Sequence, residues 1–335
     1  MGYGQLTTDH GQSPLFSRPE FEIEVAGRKV VMGAHTLIMG VLNVTPDSFS
    51  DGGRYFDPVR AIKRGVELVG QGADWIDVGG ESTRPGSQPV SAEEELRRVL
   101  PVIRGLRRKL PDVPISIDTT KAEVAEQALD AGANILNDIS GLRFEPRLAQ
   151  VAKQFRVPLI LMHTRGTPTT MQRQPFSRNI WRSLINGLET SIRRALHAGV
   201  ARSQLILDPG LGFGKPRRQS YEILAGLEKL KRFHLPILVG ASRKSFVQAI
   251  VAGEGLDPLQ AKRPGDHYWP LAQKSGKATE VPRTGRVQNS TLLSTGDAAV
   301  VTAAILGGAH IVRVHDPAAI LPAVRVADSL LAARR

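Results

Sequence analysis

Eight short apolar runs in this sequence each end on side chains capable of chemistry. Asn43 closes the first, Asp77 and Glu81 follow the second, Asp118 ends the third, and Asn137 with Asp138 ends the fourth. His163, Asp208, the stretch Ser242 to Lys244, and Arg313 with His315 end the other four. A lone Asp or Asn at such a place is explained by capping the next helix, and Asp77 and Asp138 fit that reading. Eight polar ends in one chain are harder to explain by capping. The groups also sort by chemistry. Asp118, Asn137 and Asp208 offer acceptors and an amide, which suits a flat heterocycle presenting several N–H and N sites. Arg313, His315, Lys244 and Asn43 suit phosphate oxygens, and Asn43 is also a hard oxygen ligand for Mg2+. A heterocycle next to a phosphate is the inferred ligand.

The elements that must position these groups follow from periodicity. Strands are predicted at 37–43, 74–78, 114–118, 134–137, 157–162, 204–208, 236–240 and 310–314. Helices are predicted at 58–71, 92–109, 121–131, 146–154, 179–198, 218–231, 244–252, 296–307 and 317–333. A parallel strand followed by a helix, repeated eight times, fits a closed (β/α)8 TIM barrel of about 250 residues, and an open doubly wound sheet is the rival. In a barrel all eight strand ends converge on one rim. The surplus length falls in two places. One is an N-terminal lead-in, read as a flexible tail over 1–20 and a small hairpin before residue 37. The other is 253–290, rich in Pro, Gly, Lys and Arg and without periodicity, read as a long loop insertion in a single domain spanning 21–335.

Composition narrows the chemistry. The chain has no cysteine, which removes disulfides, a thiolate nucleophile and Cys-type metal centres. The net charge of +12 admits an anionic small substrate or nucleic acid. Aromatic residues are too scarce for a base-stacking platform, so no nucleic-acid partner is expected. The run Arg97, Arg98, Arg104, Arg107, Arg108 and Lys109 reads mostly as a solvated helix face. No apolar run reaches the roughly 18 residues of a membrane span and no secretory signal is evident, so a cytoplasmic protein without a membrane partner is expected. "DPGLGFGK" at 208–215 fails the P-loop spacing, with Pro216 where Ser or Thr would bind metal. Ser245 and Thr83 lack a His and carboxylate arrangement, which disfavours covalent catalysis.

The segments "MGVLNVTPDSFSDGG" (39–53), "DVGGESTRPG" (77–86), "SIDTTKAEVA" (116–125), "NDISG" (137–141), "DPGLGFGK", "GASRKSF" (240–246) and "IVRVHD" (311–316) resemble the dihydropteroate synthase family, in order along the chain. The resemblance implies a TIM barrel that transfers a dihydropterin methylene from pyrophosphate to the amine of p-aminobenzoate, in folate biosynthesis, with Mg2+ required and sulfonamides as inhibitors. It places Asp118, Asn137, Asp208 and Lys244 on the pterin ring, Asn43 on Mg2+ and pyrophosphate, and Arg313 with His315 on pyrophosphate. Asp118, Asp208, Lys244, Arg313 and His315 are then the catalytic set. Thr83, Arg84, Pro85, Phe213, Ser245 and Phe49 become the p-aminobenzoate contacts, and Thr45, Pro46, Asp47 and Ser48 a closing loop. A homodimer built on the last helices is also implied. The sequence departs from the family's pattern at the 253–290 insertion, at "STGDAAVVTAA" (294–304) in place of a Gly-Ser/Thr helix start, and at Thr164–Arg165. The rival readings are a methyltetrahydrofolate:corrinoid methyltransferase, which has no need of "STRPG", "SRKS" or "RVHD", and a catalytically silent pterin- or nucleic-acid-binding barrel.

Overall fold

The computed structural model describes residues 18–45, 57–82, 87–167, 170–171, 176–256 and 290–333. An antiparallel hairpin, β1 (Phe21–Val25) and β2 (Arg28–Met32), turns at Ala26 and Gly27, both with positive φ as a tight hairpin turn requires. Eight parallel strands follow: β3 (Leu37–Asn43), β4 (Trp75–Gly79), β5 (Ile115–Asp118), β6 (Ile135–Asp138), β7 (Leu159–Met162), β8 (Leu205–Asp208), β9 (Leu238–Gly240) and β10 (Ile311–Val314). The ladder runs from β8 back to β3 and on through β10 to β9, and a parallel bridge between Leu207 and Ile237 joins its two ends. The sheet is a closed barrel, as the alternation of runs implies, and not an open sheet.

Around it lie α1 (Pro58–Gly70), α2 (Ala92–Lys109), α3 (Ala122–Asp130), α4 (Leu148–Phe155), α5 (Ile180–His197), α6 (Arg217–Ala225), α7 (Ser245–Val251), α8 (Ser290–Leu306) and α9 (Pro317–Ala332). Local chemistry sets their limits. Ser91 caps α2 by accepting the Glu94 N–H, with Glu93, Glu94 and Glu95 in the first turn and Arg107, Arg108 and Lys109 in the last, in keeping with the helix dipole. The predicted helix 218–231 is broken: α6 stops at Ala225 and a 3-10 turn runs over Leu227–Phe233. The break falls at Gly226, where a Cβ would lie 2.8 Å from the Trp181 ring. Helix α8 begins at Ser290, six residues before its expected start and at the last residue of the expected insertion. Residues 257–289 lie outside the described residues.

Side chains alternate across a strand, so each barrel strand has an inward and an outward set. The outward set, including Ile76, Ile117, Leu136, Leu161, Leu207 and Val312, packs against the helices in one large core. The inward set has two layers. The lower one is apolar: Leu37, Met39, Trp75, Ile135, Ile160, Ile206, Leu238 and Ile311 cluster with Ile23, Val25 and Met32 of the hairpin. The hairpin therefore plugs the N-terminal end of the barrel, and each large side chain buried there contributes roughly 1.5–3 kcal/mol. Arg18 fastens the plug. It is 7% exposed and donates to Gly33 O, Thr36 Oγ1, Ala309 O and the Asp328 carboxylate of α9. Residues 18–20 of the expected tail thus belong to the fold.

Candidate active site

Two residues beyond the apolar layer, the inward positions change character. They are Asp77, Asp118, Asn137, Met162, Asp208, Gly240 and Arg313, one from each strand β4 to β10, with Asn43 at the end of β3. The period of two that fills the lower barrel with Ile and Leu thereby lines its mouth with charge. Gly240 and Gly79 leave room there. A Cβ at Gly240 would lie 3.8 Å from Arg313 and 3.9 Å from Asp208 Oδ2. One at Gly79 would lie 3.6 Å from Asp118 and 3.8 Å from Asn43 Oδ1. A flat ring is the shape that such a cup accepts.

Arg313 organises the charges. Its Nε donates to Asp77 Oδ2 at 2.6 Å and its Nη2 to Asp118 Oδ2 at 2.8 Å, while Asn137 Nδ2 donates to the same Asp77 oxygen at 3.1 Å. Asp77 is fully buried, and its Oδ1 has no hydrogen-bond partner among the described residues. Capping does not account for Asp77: it faces the barrel interior and holds two site residues in place. Its parity with Trp75, an inward residue two positions earlier, is the sequence signal that identifies it. Asp138 does not cap a helix either: it points away from the cup and accepts the Ser140 and Leu142 N–H groups of the turn after β6, while α4 starts only at Leu148, with Arg147 at its N-cap position and no side-chain cap.

Burial pushes the Asp118 carboxyl up to about 7, with the Asp77 charge adding to the rise and Arg313 opposing it. Asp208 rises to about 6 through burial, against the Gly210 N–H that its Oδ1 accepts at 2.7 Å and the Lys244 charge. Lys244 falls to about 8 because burial and Arg313 both disfavour its cation. Three titrations near neutrality in one cup are the signature of a functional site.

The β8–α6 loop walls one side. Gly210 and Gly214 take positive φ, and a Cβ on either would stand 2.1 Å from a carbonyl oxygen, of His163 or Arg165. Lys215 is buried under the loop and donates to the carbonyls of His163, Gly210 and Phe213. Its role is to tie the loop down, unlike a phosphate-binding P-loop lysine. Phe213 packs with Ile139, Met162 and Met171, and Lys244 Nζ lies 3.9 Å from its ring centroid. Ser245 is the exposed first residue of α7. His163, although at a strand end, is buried against Gly187 of α5 and held well below the ordinary histidine value by burial.

At the base of the β4–α2 loop, Lys121 binds Glu81 and, at 2.6 Å, the buried Glu95, while Arg98 donates to Gly80 O. Arg107 donates to the carbonyls of Gly132, Leu110, Pro111 and Val113. Arg98 and Arg107 therefore brace loops and are not simply solvated. Pro46, Asp47, Ser48 and Phe49, and Thr83, Arg84 and Pro85, lie outside the described residues; Thr45 is half-buried just beyond β3. Among the described residues no three His, Asp or Glu side chains form a metal cluster. Asn43 at the end of β3 offers one hard amide oxygen, which would fit Mg2+ as a single protein ligand if phosphate oxygens and water supplied the rest of its shell. No described helix is long and apolar enough to cross a membrane.

Comparison with known proteins adds three findings. The family described as pterin binding enzyme matches residues 39–315. The dihydropteroate synthase of a Synechocystis species is 44% identical over 298 residues, covering 89% of this chain and 91% of that protein. Two crystal structures superpose closely. One is the Yersinia pestis dihydropteroate synthase with a sulfonamide drug, with TM-score 0.75, 35% identity and coverage of 93% and 100%. The other is that of Xanthomonas albilineans with 4-aminobenzoic acid, with TM-score 0.76, 34% identity and coverage of 94% and 99%.

Proposed function

Because the chain belongs to the dihydropteroate synthase family of pterin-binding enzymes, we propose that the cup at its strand ends holds a dihydropterin ring, with the pyrophosphate tail at Arg313 and His315. The activity is that of a transferase of folate biosynthesis: hydroxymethyl-dihydropterin pyrophosphate and p-aminobenzoate give dihydropteroate and pyrophosphate. The observation that carries the site assignment is the convergence of Asp118, Asn137, Asp208 and Lys244 around two inward glycines, beside an arginine that the leaving group can recruit.

Each side chain has a task. The carboxylates of Asp118 and Asp208 accept ring N–H groups, Asn137 offers both a donor and an acceptor, and Lys244 donates to the ring carbonyl. An aromatic amine is already neutral at pH 7, so its attack requires no nucleophilic side chain and no strong base. The demanding step is departure of pyrophosphate, whose developing charge Arg313 and His315 stabilise. The ring becomes electron-poor as the bond breaks, and Asp118 and Asp208 counter that charge from beneath. Mg2+, when bound at Asn43, supplies further neutralisation of the pyrophosphate. Phe213 and Ser245, with Thr83, Arg84, Pro85 and Phe49, would face p-aminobenzoate, the compound bound in the Xanthomonas relative. Sulfonamides, as in the Yersinia relative, would compete there. Thr45 to Ser48 would close over the substrates.

A homodimer fits the outer face of α8 and α9, where Leu292, Val326 and Leu330 are exposed and the last two are one helical turn apart. The cytoplasm fits a folate-pathway enzyme. The direct test is pyrophosphate release from hydroxymethyl-dihydropterin pyrophosphate. Release that needs both p-aminobenzoate and Mg2+ is expected. Release independent of the amine, or none, would remove the synthase assignment, and methyl transfer from added methyltetrahydrofolate to a corrinoid would favour the methyltransferase rival.

A further inference from the structure

Asp297, 6% exposed on α8, faces the rim from behind β9 and β10. Its Oδ2 accepts the Ser242 hydroxyl at 2.8 Å, and its two oxygens lie 3.0 and 3.1 Å from the Arg243 N–H. Ser242 is itself buried, and its Oγ is met by two groups of His315, the backbone N–H and the ring Nδ1, each at 3.3 Å. A carboxylate on one element thus reaches the imidazole of another through a single hydroxyl.

Counting hydrogens fixes the direction of this chain. A serine hydroxyl has one hydrogen and two lone pairs, and a carboxylate offers lone pairs only. At 2.8 Å the hydroxyl hydrogen goes to Asp297, so Oγ has only lone pairs to offer His315. A bond from Nδ1 to such an oxygen requires the hydrogen on Nδ1. We propose that Asp297 is a positioning residue for His315: acting through Ser242, it keeps the hydrogen on Nδ1, the Nδ1–H tautomer when the ring is neutral, so that Nε2 can donate to pyrophosphate only from the doubly protonated ring, whose charge the Asp297 carboxylate supports. The inference rests on the reading of His315 as a pyrophosphate contact. Burial raises the Asp297 carboxyl above its ordinary value, and the hydrogen bonds from Arg243 and Ser242 oppose that rise. Asp316 and Arg243 are the charges nearest to Asp297, and Arg64 donates to the His315 carbonyl at 3.1 Å. Asp297 lies in the 294–304 segment, where the sequence departs from the family's usual helix start.

The same contacts admit a purely structural role, since Asp297 also holds Arg243 in a left-handed conformation with φ 56°. Two readouts separate the two roles. The first is the tautomer of His315 in the intact protein, from long-range 15N–1H correlation spectra, assigned by the signal lost in His315→Asn. Wild type is expected to show Nδ1–H. Asp297→Ala frees the hydroxyl to donate to Nδ1 and shifts the ring toward Nε2–H, whereas Asp297→Asn keeps an acceptor oxygen and the original tautomer. The second is steady-state kinetics. In Asp297→Ala the ring loses the carboxylate that supports its cation and meets pyrophosphate as a neutral group, so KM for the dihydropterin pyrophosphate should rise about tenfold, the low end of the roughly 10–100-fold cost of losing a partner that orients a metal-bound histidine, and that for p-aminobenzoate should change by less than about twofold, with Asp297→Asn recovering part of the loss. Ser242→Ala removes the same relay and should reproduce the kinetic defect; it serves if Asp297→Ala does not fold. An Nδ1–H signal unchanged in Asp297→Ala, or equal rises in both KM values with no recovery in Asp297→Asn, would overturn the proposal. The tautomer is read without turnover, so it stays decisive even if the synthase reaction fails.

Discussion

Asp77 shows how a residue of the cup acts without needing to touch a ligand. One of its oxygens accepts from both Arg313 and Asn137 in a fully buried setting, so replacing it leaves a guanidinium and an amide without their anchor. Asp77→Ala should cost about 3–5 kcal/mol in urea unfolding, the usual loss when one member of a buried ion pair is removed. A loss below about 1 kcal/mol would show that Arg313 is held by Asp118 alone. The titrations in the cup give a second prediction, with two opposite signs. Asp118 and Asp208 have folded values near 7 and 6, above the ordinary carboxylate value of 3.8, so the folded state keeps their protons longer than the unfolded chain. Their contribution to stability is therefore fully present below about pH 4 and is lost as pH rises through 6 and 7. Ring binding needs them ionised and Lys244 protonated, so affinity for a pterin should peak near pH 7.5, falling below 7 and again above 8. Calorimetric titration of a non-reactive pterin across pH 5 to 9 checks this, and a flat profile would contradict it. The residues whose types announce the ligand, Asp118, Asn137, Asp208, Lys244 and Arg313, are legible in the sequence because each ends an apolar run. Asp77 can be placed in the cup from its parity with Trp75, but its role as an anchor, like the roles of Lys121, Glu95 and Asp297, depends on partners far along the chain and is not legible there.

At the scale of the element, the β8–α6 loop and the end of β9 use glycine for different reasons. Gly210 has φ 62° and no space for a Cβ, which would meet the His163 carbonyl oxygen at 2.1 Å. Gly210→Ala should therefore lower stability by roughly 1–3 kcal/mol or more, the cost of a strained backbone plus displacement of β7. At Gly240 an added methyl meets ordinary contacts of 3.8–3.9 Å, so Gly240→Ala should fold as wild type. Its effect should be on the ligand: the methyl enters the cup and raises the dissociation constant of a pterin, measured by calorimetry beside thermal unfolding. Equal stability losses in the two variants would refute the distinction. Strand and helix positions follow from periodicity, which backbone geometry imposes locally. The interruption at Gly226 and the early start of α8 escaped that reading, because the first falls at a glycine packed against the Trp181 ring of a distant helix and the second extends a helix into residues without an apolar period.

Among the described residues the molecule is a barrel plugged at its N-terminal end by its own hairpin, with the polar layer at the opposite end. This polarity explains why the charge collects where it does: the lower layer excludes water with Ile, Leu and Trp, so the upper layer can hold carboxylates whose ionisation burial has brought near neutrality. Arg18 and Asp328 connect the plug to the last helix, and Arg18→Ala should cost roughly 3–5 kcal/mol in unfolding while leaving kcat of the remaining folded protein intact. Loss of kcat without loss of stability would show that the plug communicates with the cup. The barrel itself was legible from the eight repeats and their polar ends. Its plug was legible only as a hairpin, because which end a lead-in covers depends on closure. Whether buried carboxylates beneath the pterin ring promote departure of pyrophosphate is decided by single-turnover dihydropteroate formation in Asp118→Asn, at saturating substrates and Mg2+. The expected rate is lower by about 10²–10³-fold, the usual cost of removing one group that stabilises developing charge; a rate equal to that of wild type would show that the Asp118 carboxylate plays no part in that step.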